Sequence, residues 1–159
     1  MVLFFSNSEQ GLGSTLGLQL NLDAAESGDH AAAIRLASVK GANVNAAGPD
    51  GTTPIMYAAA NNDLELVRTL IKAGANVKLA NQLGTSAITE AAIIGSAPVI
   101  DALLKAGADP NFRTPDGETP LMAVARSGRV DAAKVLLSAG ADINAKETWG
   151  GQRTSISGQ

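Results

Sequence analysis

Apolar residues in this chain come in short runs whose spacing fits a helix rather than a strand. The segments 66–71, 99–104 and 132–137 each carry two adjacent apolar pairs that stand one helical turn apart. Because residues four apart lie on the same side of a helix, each segment presents a single apolar face. The pattern therefore predicts short amphipathic helices, and each of them needs a neighbour to cover its apolar side.

Glycine recurs along the chain in three registers with a period of 33 residues. The first register closes the apolar segments, where a glycine in the left-handed conformation ends a helix. The second follows turn-forming residues such as Asp50 and Asp116 and predicts β-turns. The third separates two short helical segments and includes Asn62, the residue type best tolerated there after glycine. The registers are Gly41, Gly74, Gly107 and Gly140; Gly51, Gly84, Gly117 and Gly150; and Asn62, Gly95 and Gly128, with Gly28 displaced by one.

Helix starts follow the same period. Thr53-Pro54 and Thr119-Pro120 place a capping hydroxyl before a proline in the first helical position, and Ser86-Ala87 keeps the cap without the proline. We therefore expect a first helix in each unit, over Ile55–Asn61, Ile88–Ile94 and Leu121–Ser127, followed by a tight turn and a second helix.

These units resemble the ankyrin repeat. Residues 119–125 (TPLMAVA) and 53–59 (TPIMYAA) look like the family's T-P-L-H-x-A-A opening, and residues 140–145 (GADINA) look like its G-A-D-V-N-A close. The resemblance implies an all-α ankyrin-repeat solenoid of stacked helix–turn–helix units with protruding β-turns. It implies four repeats, over about 18–49, 50–82, 83–115 and 116–148, in a domain of residues 18–149. Residues 1–17 then form an N-terminal arm, and residues 150–159 a C-terminal tail.

The chain departs from the family pattern in two respects. Met56, Thr89 and Met122 stand where the family has a histidine that ties neighbouring turns together. In the first repeat, Gly28 and Gly41 are 13 residues apart rather than 12, which predicts one inserted residue in the second helix or in the loop after it.

The resemblance also implies binding of another protein through turn tips and first-helix surfaces. Positions that vary from repeat to repeat at these places are the candidate contacts, while the framework around them stays fixed. The predicted partner-binding residues are Asp50, Thr52, Asn61, Gln82, Leu83, Thr85, Ile93, Ile94, Arg113, Asp116, Glu118, Arg126, Lys146 and Trp149.

Three groups among these residues have an alternative structural role. Trp149 is either an interface hot spot or a lid over the last repeat. Leu83, Ile93 and Ile94 form either an exposed apolar patch or contacts with the neighbouring repeat. Arg113, Arg126 and Lys146 form either a basic strip beside Asp116 and Glu118 or ordinary solvated charges.

The composition limits which metal, cofactor or catalytic sites the chain can form. The chain has no cysteine and a single histidine, His30, which is expected to be an ordinary surface or helix-start residue. This composition excludes the usual cysteine and histidine ligand sets of zinc and any cysteine–histidine pair. The sequence also contains no phosphate-binding loop. We therefore expect neither metal nor cofactor and no enzyme activity. A net charge of −3 without a basic run argues against nucleic-acid binding.

Two further expectations concern location and assembly. The N-terminal apolar run stops at Ser6 and has no basic residue before it, which argues against export. We therefore expect a cytoplasmic protein that spans no membrane, with a periplasmic or secreted location left open. We expect a monomer. Because no polar capping repeat follows repeat four, a dimer through this uncapped C-terminal face is the alternative.

The sequence leaves the biological role open among three classes. The first is a protein–protein interaction module or adaptor that binds a folded partner. The second is an inhibitor or immunity-type protein that blocks a partner enzyme, and the third is a periplasmic accessory of an enzyme. The fold permits the first two classes, and only the identity of the partner separates them. The third class would require an export signal, which the N-terminal segment does not resemble.

Overall fold

A computed structural model of the chain describes residues 22–147, which form eight helical segments arranged in pairs. Trp149, the arm 1–17 and the tail 150–159 lie outside these residues. The helices are α1 (the segment 22–27), α2 (His30–Ala37), α3 (Pro54–Ala60), α4 (Leu64–Lys72), α5 (Ala87–Ile94), α6 (Ala97–Lys105), α7 (Pro120–Ser127) and α8 (Val130–Ser138).

The pairs stack in two layers. The first helices α3, α5 and α7 pack in sequence against one another, and the second helices α2, α4, α6 and α8 form the other layer. Each of the last three pairs also packs internally, α3 on α4, α5 on α6 and α7 on α8. The predicted all-α solenoid of helix–turn–helix units is therefore confirmed.

The core lies between the two layers. Both layers contribute large, fully buried side chains, such as Ile55 and Ile88 from the first helices and Leu70, Ile100 and Leu103 from the second helices. The first helices add several buried alanines. Each repeat buries its apolar face only against the next one, which makes the stack continuous.

The helix caps agree with the sequence in position but only partly in chemistry. Thr53, Ser86 and Thr119 are the N-cap residues of α3, α5 and α7, as predicted. Only Thr119 accepts a hydrogen bond from its own helix, from the backbone N–H of Met122. The expectation of a capping hydroxyl is wrong for Ser86, whose hydroxyl lies 3.2 Å from that of Thr89, and for Thr53, whose hydroxyl is buried without a partner among the described residues.

The glycine registers take the predicted conformation. Glycines at the helix ends, the β-turns and the helix–helix turns all have positive φ within residues 22–147, and Asn62 joins them with a φ of 55°. Asn62 therefore replaces glycine in the helix–helix turn of the second repeat. The reason is that asparagine tolerates the left-handed region better than other residues with a side chain.

The inserted residue of the first repeat lies in the loop after its second helix. Three residues separate Ala37, the end of α2, from Gly41, whereas one residue separates Lys72, the end of α4, from Gly74. The loop is thus two residues longer and α2, with 8 residues, is one residue shorter than α4, with 9, which leaves a net insertion of one residue. The extra length exposes Val39 to 60%. Because a loop absorbs the insertion, the packing of α2 against α4 keeps the period of the stack.

Asparagine side chains join neighbouring repeats at the ends of the second helices. The amide of Asn45 donates to the carbonyl of Gly74 (3.1 Å) and accepts from the backbone N–H of Asn76 (2.7 Å). Asn111 makes the same pair of bonds to Gly140 (3.0 Å) and Asp142 (2.7 Å). Lys78 occupies the equivalent position between repeats two and three, where it does not form them.

Candidate functional site

The connections between repeats are short hairpins that project from the first-helix layer. Each hairpin closes with a backbone hydrogen bond, from Gly48 to Thr52 (2.9 Å), from Asn81 to Thr85 (2.9 Å) and from Thr114 to Glu118 (3.1 Å). A glycine with positive φ stands inside each turn, as the second register predicts. The three hairpins therefore share one backbone, which leaves the tip side chains free to differ.

Neighbouring hairpins also touch each other. The side-chain amide of Gln82 donates to the carbonyl of Pro49 (2.8 Å), and the guanidinium of Arg113 donates to the carbonyl of Lys146 (3.0 Å). Gly84 faces the ring of Pro115 so closely that a Cβ atom there would lie 2.4 Å from the proline Cδ. Gln82 and Arg113 therefore link one hairpin to the next, although both are exposed.

Thr52, one of the predicted contacts, belongs to the framework instead. Thr52 is only 8% exposed, and its hydroxyl accepts a hydrogen bond from the side-chain amide of Asn81 in the next hairpin (3.2 Å). Its hydroxyl and backbone N–H both donate to the carboxylate of Asp50 (2.7 and 3.0 Å). These hydrogen bonds hold the pKa of Asp50 below its usual value. Asp50 remains exposed at the tip, whereas Thr52 is not available to a partner.

The residues expected to form an apolar patch, Leu83, Ile93 and Ile94, lie at the two ends of α5. All three are exposed, Leu83 to 75%, Ile93 to 54% and Ile94 to 40%. Leu83 lies in the hairpin before α5, whereas the two isoleucines lie in its last turn, about 9 Å or more along the helix axis. Ile94 lines a groove with Pro98 and Val130 at the helix–helix turns. The patch itself stays a prediction.

The side of the stack that faces away from the second helices, here called the first-helix face, carries two rows of side chains. In each first helix the positions between the buried residues point to this side, one turn apart. One row runs through repeats one to three as Asp23, Tyr57 and Glu90, with the buried Ala123 at the equivalent position of repeat four. The other row runs through the four repeats as Glu26, Ala60, Ile93 and Arg126.

Arg126 is paired rather than free. Its guanidinium lies 2.8 Å from Glu118, an ion pair that is not aligned as a hydrogen bond, and it donates to Glu147 at 2.8 Å. Arg113 donates to a backbone carbonyl but keeps its charge, so within residues 22–147 Arg126 alone of the three members of the expected basic strip is matched by carboxylates. Lys146 remains exposed.

The other predicted contact residues are also a mixture of exposed residues and residues that are hydrogen-bonded within the repeat framework. Asn61 is exposed, but its amide donates to the carbonyl of Ala25 (3.3 Å) in the preceding repeat. Thr85 is half-buried, and its N–H donates to Asn81 (3.0 Å). Asp116 is exposed at its tip. Trp149 lies outside the described residues and stays a prediction.

One cluster was missed by the sequence analysis. His30 contacts Asp63 (2.5 Å) and Glu65 (3.2 Å) of the next repeat, so it joins repeats rather than standing alone. The hydrogen bond to Asp63 raises the pKa of His30, and Glu65 raises it further, against a smaller opposing effect of desolvation. The spacing of 33 residues between His30 and Asp63 is the signal that places the two side chains in adjacent repeats.

None of the helices within residues 22–147 combines the length and apolar character that a membrane span requires.

The chain is a helical repeat protein with a first-helix face and a row of hairpin tips. This class is defined by the paired helices, the 33-residue period and the projecting hairpins. A family model made of three ankyrin repeats matches residues 22–114 and, a second time, residues 61–147. The chain therefore belongs to the ankyrin-repeat family. A search of the curated proteins gives no match. Ankyrin repeats are generally protein–protein interaction modules and are typically non-enzymatic.

Proposed function

We propose that this chain binds a folded protein partner through its hairpin tips and first-helix face, and that it acts by binding rather than by catalysis. The observation that carries the proposal is the exposure of Leu83 and Ile93. Both stand at positions that change from repeat to repeat, whereas the framework residues around them are buried. Aliphatic side chains of this size contribute roughly 1.5–3 kcal/mol each when a partner covers them fully.

The contact surface that we propose is smaller than the predicted set. At the hairpin tips this surface consists of Asp50, Leu83 and Asp116, and on the first-helix face it consists of Ile93. Gln82, Arg113 and Asn61 hold the repeats together through hydrogen bonds to backbone carbonyls, so their loss would alter the shape of the surface. Thr52 is excluded by its burial.

Quantitative affinity capture tests the surface. We expect Leu83→Asp and Ile93→Asp each to reduce recovery of the partner by about tenfold or more, because a charge replaces an apolar contact of 1.4 kcal/mol or more. Val39→Asp is the matched control, since Val39 is equally exposed but lies in the loop after α2. Equal recovery with all three variants would contradict the proposed surface.

A further inference from the structure

Charge is distributed unevenly between the two layers of the stack. The first helices and hairpins of repeats one to three, residues 22–27, 46–60 and 79–94, contain four carboxylates and neither lysine nor arginine. The four are Asp23, Glu26, Asp50 and Glu90. The second helices of the same repeats carry the cations Arg35, Arg68, Lys72 and Lys105, but also the carboxylates Glu65 and Asp101, with Asp29 and Asp63 at their N-caps. The first-helix side of these repeats is therefore acidic without cations of its own, whereas the second-helix side carries charges of both signs.

Glu90 is the central carboxylate of the first-helix face. Its side chain is half-buried on α5 and forms neither an ion pair nor a hydrogen bond within the described part of the chain. Burial raises the pKa of Glu90, because the charged form loses hydration without gaining a partner. Glu118, in contrast, is matched by Arg126 of its own repeat. The first-helix face thus offers a carboxylate that lacks its counter-charge.

Tyr57 lies in the neighbouring position on α3, which packs directly on α5. Its ring is half-buried, and burial together with the charges of Glu26 and Asp50 raises the pKa of its phenol. Along its row on the first-helix face, the next side chain after Tyr57 is the carboxylate of Glu90. An aromatic ring beside carboxylates favours a guanidinium or ammonium group, which stacks on the ring and pairs with the acid.

Ile93 adds an apolar contact next to this acidic region. It follows Glu90 by three residues on the same side of α5 and remains exposed. Adjacent packed helices lie about 8–10 Å apart, so the face from repeat one to repeat three extends about 20 Å. An extended segment of about six or seven residues covers that distance, at about 3.3 Å per residue.

We propose that the first-helix face of repeats one to three binds a basic segment of the partner protein. A lysine or arginine of that segment lies between Tyr57 and Glu90, a second cation pairs with Glu26, and an apolar residue covers Ile93. This inference rests on the function proposed above and specifies the chemistry of the partner.

Selection of displayed peptides tests the proposal. The full chain and its Glu90→Gln variant are immobilised and used to select from a library of random nine-residue peptides. We expect lysine and arginine to be enriched at least threefold in the pool selected by the wild type, and this enrichment to fall with Glu90→Gln. Asp131→Asn, which removes an exposed carboxylate from the second-helix layer, is the matched control and should keep the enrichment.

Selected peptides then give a direct measurement. In fluorescence-anisotropy titrations, we expect Glu90→Gln and Tyr57→Ala each to raise Kd by about three- to tenfold, and 0.5 M salt to raise it further, since the contacts are electrostatic. Circular dichroism of each variant verifies that the helices are intact. A selected pool without an excess of lysine and arginine would overturn the proposal of a basic segment. So would an equal loss of that enrichment with Glu90→Gln and with Asp131→Asn. Capture that still depends on Ile93 would in that case leave the proposed function standing.

Discussion

At the scale of single residues, polar side chains that reach across one period add to the apolar contacts between repeats. His30 at the start of α2 contacts both Asp63 and Glu65 in the next repeat, and all three side chains remain accessible to solvent. Asp63 has two roles, since its other oxygen accepts the backbone N–H of Leu66 and caps α4 (3.0 Å). The cluster therefore links a helix cap to the protonation of the histidine.

This link predicts a pH-dependent contribution to stability. The pKa of His30 is raised above 6.5, so the folded state binds the proton more tightly than the unfolded state does. The stabilisation is fully present below pH 6.5 and is lost as the pH rises through the raised pKa. We expect the Tm of His30→Gln to fall below that of the wild type at pH 5.5 and to approach it at pH 8.5.

Thermal unfolding at both pH values measures this difference, and 0.5 M salt should reduce it because the cluster is exposed. His30 is the residue to change, since substitution of Asp63 would also remove the cap of α4. A difference in Tm that stays the same at pH 5.5 and pH 8.5 would refute a role for the imidazolium.

At the scale of the helix pair, the tight turns impose the strictest local requirement. Gly95 and Gly128 both end first helices with a positive φ, of 73° and 67°. Their surroundings differ, because a Cβ atom on Gly95 would lie 2.3 Å from the Cγ of Arg129, whereas nothing lies within 4 Å of one on Gly128. The same backbone conformation therefore occurs once with a close neighbour and once in open space.

These two glycines allow strain and steric overlap to be separated. We expect Gly128→Ala to lower the free energy of unfolding by about 1–2 kcal/mol, the cost of the left-handed conformation alone. Gly95→Ala should cost clearly more, because Arg129 must also move. Urea denaturation measures both losses, and Arg129→Ala in the Gly95→Ala background should recover most of the excess. Equal losses for the two single variants would show that the contact with Arg129 carries no energy.

At the scale of the whole molecule, stability depends on the coupling between repeats. The asparagine bonds of Asn45 and Asn111 reinforce the first and third of these junctions, whereas Lys78 leaves the central junction without them. The acceptor and donor for an asparagine at position 78 correspond to the carbonyl of Gly107 and the N–H of Asp109. The central junction is thus the one where a single substitution can complete the pattern.

We expect Lys78→Asn to raise the free energy of unfolding by about 1–2 kcal/mol, since each added hydrogen bond contributes about 0.5–1.5 kcal/mol net. The corresponding rise in Tm is about 2–6 °C for a chain of this size. Asn111→Lys, the reverse change at the next junction, should lower Tm by a similar amount. A Lys78→Asn protein that unfolds at the wild-type temperature would contradict this account of the junctions.

The repeat architecture follows from the sequence because its signals are local. A glycine beyond the last helical turn, a hydroxyl before a proline and an apolar pair each turn act within a few residues. Helix positions and the left-handed Asn62 agree with those signals. The candidate surface was predicted less well, because exposure depends on neighbours that lie about 33 residues away. Thr52 is buried by such contacts, and Leu83 is separated from Ile93 by the length of α5.

The period, the helix pairs and the hairpins follow from the sequence alone, since the conformational preferences that produce them are built into short segments. Which polar side chains have a charged partner depends instead on how the repeats stack. Arg126 is matched by Glu118 and Glu147, and His30 by Asp63 and Glu65, while Glu90 stays unmatched in the described part of the chain. The physical reason is that ion pairing depends on distance in space, and stacking brings together side chains that the sequence separates by up to 35 residues.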